Sequence, residues 1–146
     1  MDDVARNIES VRRLEEAYGR RDYGEVREYL AADFVAHTAG SETLPPGIDG
    51  AIASNEGSFQ SFSDRQTEIL DIFGEGDRVV SHVRMWGTND GDMPFGGISK
   101  TGKPIDIDWI QISRFGDDGK IHETWAQMDL PTMMVQLGAM PAPEGM

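Results

Sequence analysis

Apolar positions in the first part of the chain recur at spacings of three and four residues, the pattern of an amphipathic helix. The first stripe consists of Val4, Ile8, Val11, Leu14 and Tyr18. It predicts a helix over residues 4–18, which ends at Gly19 and the polar residues that follow. Similar patterns predict a second helix over residues 23–32 and a third over residues 49–62.

After residue 63 the pattern changes to short runs of β-branched and aromatic residues separated by Gly and Asp, which is typical of strands and tight turns. The predicted strands are 66–73, 78–88, 105–115 and 120–128, preceded by a short extended run at 34–37. The turns at 74–77 and 116–119 are too short for parallel crossovers, so we expect these strands to pair antiparallel.

Three further segments complete the chain. A glycine-rich lobe is expected at 90–104, and a short helix at 132–137 precedes a flexible tail from about residue 139. Helices followed by consecutive strands predict one α+β domain over residues 1–146, with the N-terminal helices packed on a curved antiparallel sheet.

Charge and composition exclude several classes of function. The 146 residues include 26 acidic and 13 basic side chains, and the net charge of -13 repels nucleic acid and anionic membranes. The chain has no cysteine, which excludes disulfides, thiolate metal sites and cysteine nucleophiles. No signal-peptide pattern and no long apolar run occur, so a cytoplasmic protein without membrane or nucleic-acid partners is expected.

His37 is a candidate general base. It ends an apolar run and precedes a Thr-Ala-Gly-Ser loop, where its side chain could face a cavity. Neutral imidazole is a competent base near pH 7. The alternative is a loop histidine that only hydrogen-bonds to the backbone.

Strand alternation supplies a second candidate, Gln111. It shares one face of the predicted strand with Trp109, and its amide could donate a hydrogen bond to an oxyanion or merely satisfy a backbone group. Asp106 and Asp108 lie on the opposite face and are interpreted as solvated surface rather than as an acid/base pair.

Metal and cofactor sites are not predicted. The three histidines are far apart and match no zinc-binding spacing. Asp90 and Asp92 beside Gly91 could suggest a cation site, but acidic residues in a glycine-rich loop are more typical of turn chemistry.

The order of several short motifs over nearly the whole chain resembles the SnoaL-like family of polyketide (ester) cyclases. The motifs are Asp33-Phe34-Val35-Ala36-His37, Gly76-Asp77-Arg78-Val79-Val80, Trp86-Gly87-Thr88, Thr101-Gly102-Lys103-Pro104, Arg114-Phe115 and Gly119-Lys120-Ile121. The resemblance implies the cone-shaped α+β fold of the nuclear transport factor 2-like superfamily, with one deep pocket and, usually, a homodimer.

The resemblance also places the family's catalytic positions on this sequence. The essential aspartate of the cyclases corresponds to Ala126, which cannot transfer a proton, and their pocket histidine corresponds to Gln111. The general-base aspartate of ketosteroid isomerase, in the same superfamily, aligns with His37. The resemblance therefore leaves His37 and Gln111 as predicted catalytic residues, with no cofactor.

These correspondences predict an apolar pocket that binds a flat, carbonyl-bearing small molecule of polyketide or terpenoid type. The predicted binding residues are Tyr18, Val83, Met85, Trp109, Thr124, Ala126 and Met128. The leading hypothesis is a cofactor-independent cyclase or isomerase that works by proton abstraction or by shape-guided ring closure. The alternative is a non-catalytic binding or assembly protein that has lost the family's acid.

Overall fold

The computed structural model describes residues 2–94 and 96–144. Residue 95 of the predicted glycine-rich lobe and the last two residues of the predicted tail lie outside the described part. The helices are α1 (Asp3–Arg20), α2 (Tyr23–Tyr29), α3 (Gly47–Ser61) and α4 (Leu130–Gln136). The strands are β1 (Leu30–His37), β2 (Gln66–Glu75), β3 (Arg78–Thr88), β4 (Pro104–Phe115) and β5 (Ile121–Met128).

Helix α1 forms as its apolar stripe predicts. Its N-terminus is capped by the Asp2 carboxylate, which accepts a hydrogen bond from the backbone N–H of Ala5 at 2.7 Å. Val11 and Leu14 are buried on the face that packs on the sheet. The stripe therefore turns one side of α1 toward the interior of the domain.

The second helix is shorter than the sequence predicts. It ends at Tyr29, and residues 30–32 belong to β1 instead of extending the helix. Leu30 pairs with Ile121 of β5, and both side chains are buried. Strand pairing and burial outweigh the local helical preference of the segment.

The five strands form one mixed, curved sheet that does not close, in the order β1-β5-β4-β3-β2. Neighbours among β2, β3, β4 and β5 pair antiparallel, as predicted, whereas β1 pairs parallel to β5. The parallel pair is possible because more than 80 residues separate these two strands, enough for a crossover. The helices packed on a curved sheet confirm the predicted α+β class.

Strand registers divide the side chains between an inner face, covered by helices, and an outer face. Ser81, Gln111 and Ala126 form one cross-strand row on the inner face. The outer row consists of Phe73, Val80, Ile112, Trp125 and His37. The inner face and the helices enclose the core, and this face carries the site described next.

Candidate functional site

A cavity of about 350 Å³ lies between the inner face of the sheet and helices α1 and α3. Most of its wall is apolar. The apolar lining includes Leu14, Leu30, Phe34, Leu44, Pro45, Met85, Trp109, Ala126 and Met128. A cavity of this size and character can enclose a small organic molecule.

Most of the predicted binding residues meet at this cavity. Those that line it are Tyr18, Met85, Trp109, Thr124, Ala126 and Met128. Val83 is the exception, and its predicted contact with a ligand is wrong. It lies on the predicted face, opposite Trp109 in the neighbouring strand, but it is 0% exposed and does not line the cavity.

The prediction that His37 faces the cavity is also wrong. Ala36 pairs with Thr124 on the inner face, and alternation therefore turns His37, which pairs with Trp125, to the outer face. The imidazole stacks on the Trp125 ring at 5.4 Å, and its Nε2 lies 2.6 Å from Oε2 of Glu123. With 47% of its side chain exposed, His37 is a surface residue that cannot contact a ligand in the cavity.

Gln111, in contrast, lines the cavity as predicted. Its Nε2 lies 3.4 Å from Oγ of Ser113, a long and therefore weak hydrogen bond. A primary amide carries two N–H donors, so a second donor is available to a carbonyl oxygen in the cavity.

The acidic residues considered in the sequence have structural partners. Asp106 binds Arg84 through two hydrogen bonds of 2.9 and 2.7 Å on the outer face, which agrees with the solvated-surface interpretation. Asp90 accepts a hydrogen bond from the backbone N–H of Ser63, and Asp92 accepts one from Lys100. Within residues 2–94 and 96–144, no group of three or more acidic or histidine side chains could hold a metal ion.

The cavity also has a polar wall, which the sequence reasoning did not identify. It is formed by Glu15 and Tyr18 of α1, Asn55 of α3, and Arg65, the residue before β2. Asn55 Nδ2 donates to the backbone oxygen of Tyr18 at 3.0 Å, while Arg65 Nη1 donates to Asn55 Oδ1 at 2.8 Å. Asn55 thereby fixes Arg65 against α1.

Burial governs the ionisation of this wall. It raises the pKa of the Glu15 carboxyl, and the charge of Arg65 opposes that rise. Burial likewise lowers the pKa of Arg65 and raises that of Tyr18. Glu15 as a whole is only partly buried, because it lines the cavity.

A signal for Glu15 was present in the sequence. It follows Val11 by four residues and precedes Tyr18 by three, so helical periodicity alone places it beside the apolar stripe of α1. An acidic residue inside such a stripe is an exception that indicates a special role. Arg65 carried no comparable signal, because it lies between α3 and β2.

No helix in the described part of the chain combines the length and the apolar character needed to cross a membrane. None of the curated proteins compared with the chain matches it.

Solved structures with the same fold match nearly the whole chain. A candidate SnoaL-like polyketide cyclase from Jannaschia sp. CCS1 is 28% identical, with a TM-score of 0.78 and 97% of each chain covered. IdmH from Streptomyces antibioticus, described as a candidate polyketide cyclase, is 32% identical, with a TM-score of 0.75 over 90% of this chain and 98% of its own. TsrD from Streptomyces laurentii is 26% identical, with a TM-score of 0.77, over 90% of this chain and 96% of its own.

These similarities confirm the predicted cone-shaped α+β fold of the nuclear transport factor 2-like type. The family model described as SnoaL-like polyketide cyclase matches residues 8–137, which is most of the chain. The chain therefore belongs to the SnoaL-like polyketide cyclase family.

Proposed function

We propose that this protein is a cofactor-independent cyclase that closes a ring in an apolar, carbonyl-bearing small molecule of polyketide or terpenoid type. The observation that carries the proposal is the cavity of about 350 Å³, which joins an apolar wall to the amide of Gln111. An apolar chain that enters this cavity leaves water and is restricted to few conformations.

This restriction accelerates ring closure because it holds the two reacting carbons close to each other. Trp109 and Met85 provide a flat and an adaptable contact surface for the chain. The amide of Gln111 donates to the carbonyl oxygen as negative charge develops on it. One such donor is typically worth about 2.7–4 kcal/mol of barrier.

Similarity to known proteins supports the cyclase assignment. The family model carries that activity in its description, and the 32% identical IdmH is described as a candidate polyketide cyclase. The proposed class of substrate is supported by the cavity, which combines an apolar wall with the amide of Gln111.

Cyclase activity can be tested with a panel of aromatic compounds, each with a side chain that carries two to four ketone groups. Such compounds close a ring by intramolecular aldol reaction. The proton from the carbon between two carbonyls ends on the new hydroxyl, so the mass of the product is unchanged. Loss of water then lowers the mass by that of one water molecule. Mass spectrometry and chiral chromatography of the hydroxyl product, before it loses water, should detect one enriched enantiomer with the protein, and a slow racemic reaction without it.

Gln111→Leu removes the amide while nearly keeping its volume, and it should lower turnover by about 10²–10³. Gln127→Leu is the matched control, since Gln127 lies on the outer face of the next strand. Equal turnover in wild type and Gln111→Leu would contradict the role of the amide.

A non-catalytic binding protein is the second candidate, favoured by Ala126 at the position of the family's acid and by the outward position of His37. The fluorescent aromatic ketone Prodan distinguishes the two. Binding of Prodan in the cavity without ring closure of any member of the panel would support this second candidate.

We further propose that two copies associate through the outer face of the sheet. Phe73 and Ile110 are 56% and 51% exposed there, beside Val80 and Ile112 of the same apolar patch. Covering this surface with a second copy removes apolar area from water, and both signs of charge surround it. Sedimentation equilibrium should show that the wild type is a dimer and that Phe73→Glu is a monomer. Met140→Glu is the control and should remain a dimer, because Met140 is exposed but lies outside the sheet. A wild-type monomer would contradict the proposal.

A further inference from the structure

We propose that Glu15 is the proton-transfer residue of the cavity, the role that His37 cannot fill. The inference rests on the proposed function, because a base in the cavity serves ring closure.

Glu15 lies in the wall between two cavities. On one side it lines the apolar cavity together with Leu14 and Tyr18. On the other side it lines a polar depression of about 530 Å³, whose wall includes Arg12, Glu16, Arg20 and Thr67. A carboxyl group in this position contacts a ligand on one side and can exchange its proton with water on the other.

Within residues 2–94 and 96–144, the carboxylate of Glu15 forms no salt bridge. In that same part of the chain, the charge of Arg65 acts on Glu15 coulombically, without a hydrogen bond between the two side chains. Arg65 instead donates to Asn55, which is anchored to Tyr18 and Tyr23. The oxygen lone pairs of Glu15 therefore remain available to a proton from the ligand.

Arg65 nevertheless keeps a positive charge beside the site. Its Nε is buried and has no hydrogen-bond partner in the described part of the chain, so its position follows from packing over Phe59 and from the bond to Asn55. This arrangement differs from an ordinary buried ion pair, in which the cationic group donates a hydrogen bond directly to the carboxylate. Arg65 is accordingly a positioning residue, and Glu15 is the group that touches the ligand.

The chemistry balances with no further reactant. The carboxylate of Glu15 takes a proton from a carbon next to a carbonyl group, and the electron pair of that C–H bond moves to the carbonyl oxygen as an enolate. The enolate carbon forms a bond with a second carbonyl carbon. The resulting alkoxide takes the proton back from the Glu15 carboxyl group, which regenerates the carboxylate.

The first half of this sequence can be tested without the natural substrate. 2-Tetralone is an apolar, bicyclic ketone with an acidic CH₂ group next to its carbonyl. In D₂O, NMR follows the replacement of these hydrogens by deuterium, a measure of proton abstraction that requires no ring closure. Wild-type protein should accelerate the exchange over buffer, whereas Glu15→Gln should lose at least about 10²-fold of that acceleration.

Glu28→Gln is the matched control, because Glu28 of α2 is an exposed helical glutamate that lines neither cavity. It should exchange at the wild-type rate. Glu15→Asp keeps the charge but withdraws the carboxyl group by one methylene, and it should lose at least about tenfold. If Glu15→Gln fails to fold, the exchange rate of Glu15→Asp tests the inference instead.

The outcomes separate this inference from the proposed function. Exchange that depends on Glu15, without ring closure on the panel, supports the inference and overturns the proposed function. Ring closure that survives in Glu15→Gln overturns the inference and leaves the proposed function standing. Wild-type exchange no faster than in buffer, or full exchange in both Glu15 variants, also overturns the inference.

Discussion

Nε2 of His37 lies 2.6 Å from Oε2 of Glu123, on the face of the sheet opposite the cavity. This hydrogen bond, supported by Arg114, lowers the pKa of the Glu123 carboxyl. Trp125 stacks on the same imidazole ring. His37 thus belongs to a cluster on the outer face and is separated from the cavity by the sheet.

His37→Ala should leave the chemistry of the cavity intact. We expect ring closure and 2-tetralone exchange within about twofold of wild type, because surface substitutions far from a site have small effects. Turnover is measured on protein whose fold is verified by circular dichroism. A tenfold or greater loss of turnover in a folded variant would show that His37 takes part in the reaction.

Glu15→Gln should stabilise the protein at high pH. Burial raises the pKa of Glu15 in the folded state above its ordinary value of 4.5. Between pH 4.5 and that raised pKa, the folded state therefore binds more protons than the unfolded state. Wild-type stability therefore falls as the pH rises through the folded pKa, and a glutamine escapes that loss. Urea unfolding at pH 5 and pH 8 should show the variant's advantage growing with pH.

Glu16→Gln provides the baseline for this comparison, since it removes one negative charge from the exposed side of the same helix. A Glu15→Gln variant less stable than wild type at pH 8 would mean that attraction to Arg65 outweighs the cost of burying the carboxylate.

Ala126→Asp should destabilise the protein in a pH-dependent manner. Ala126 pairs with Gln111 on the cavity face, so the new carboxylate would enter an apolar space. We expect a loss of about 1–3 kcal/mol in the free energy of unfolding at pH 8, with recovery at low pH as the carboxyl group is protonated. Gln127→Asp places the same group on the outer face and should change stability by less than about 0.5 kcal/mol. Equal effects of the two variants would contradict the assignment of the faces.

Gly50→Ala should disturb the mouth of the cavity. A Cβ at Gly50 would lie 2.0 Å from the carbonyl oxygen of Pro45, so the loop that lines the cavity must move. We expect a loss of about 1–3 kcal/mol in stability and weaker Prodan binding, measured by urea unfolding and fluorescence titration. At Gly57 of the same helix a Cβ makes only an ordinary 3.6 Å contact with Pro94. Gly57→Ala should therefore gain about 0.5–1 kcal/mol, and similar losses at both positions would refute this account of the loop.

Elements with a strong periodic pattern were predictable from the sequence. The apolar stripe predicts α1 to within two residues of each end, and the predicted bounds of β3, 78–88, agree with the structure. Local patterns decide such elements because one face of each is buried. The family resemblance added the fold and most of the cavity lining.

The outward position of His37 follows from alternation within β1, because Phe34 and Ala36 line the cavity and His37 lies an odd number of positions from both. The apolar run alone does not show which alternate positions face inward, because that is set by the parallel pairing of β1 with β5. The polar wall depends on contacts between segments that are distant in the sequence, because Asn55 of α3 holds Arg65 beside Tyr18 of α1.

The central claim is that a carbonyl compound reacts inside the cavity on the inner face of the sheet. Its most direct test is the enantiomeric excess and rate of ring closure for wild type, Ala126→Leu, which fills the cavity, and Gln127→Leu, which does not. The account predicts an enriched enantiomer from wild type and Gln127→Leu, and at least a tenfold loss of rate in a folded Ala126→Leu. Racemic product from wild type, or full activity with the cavity filled, would contradict it.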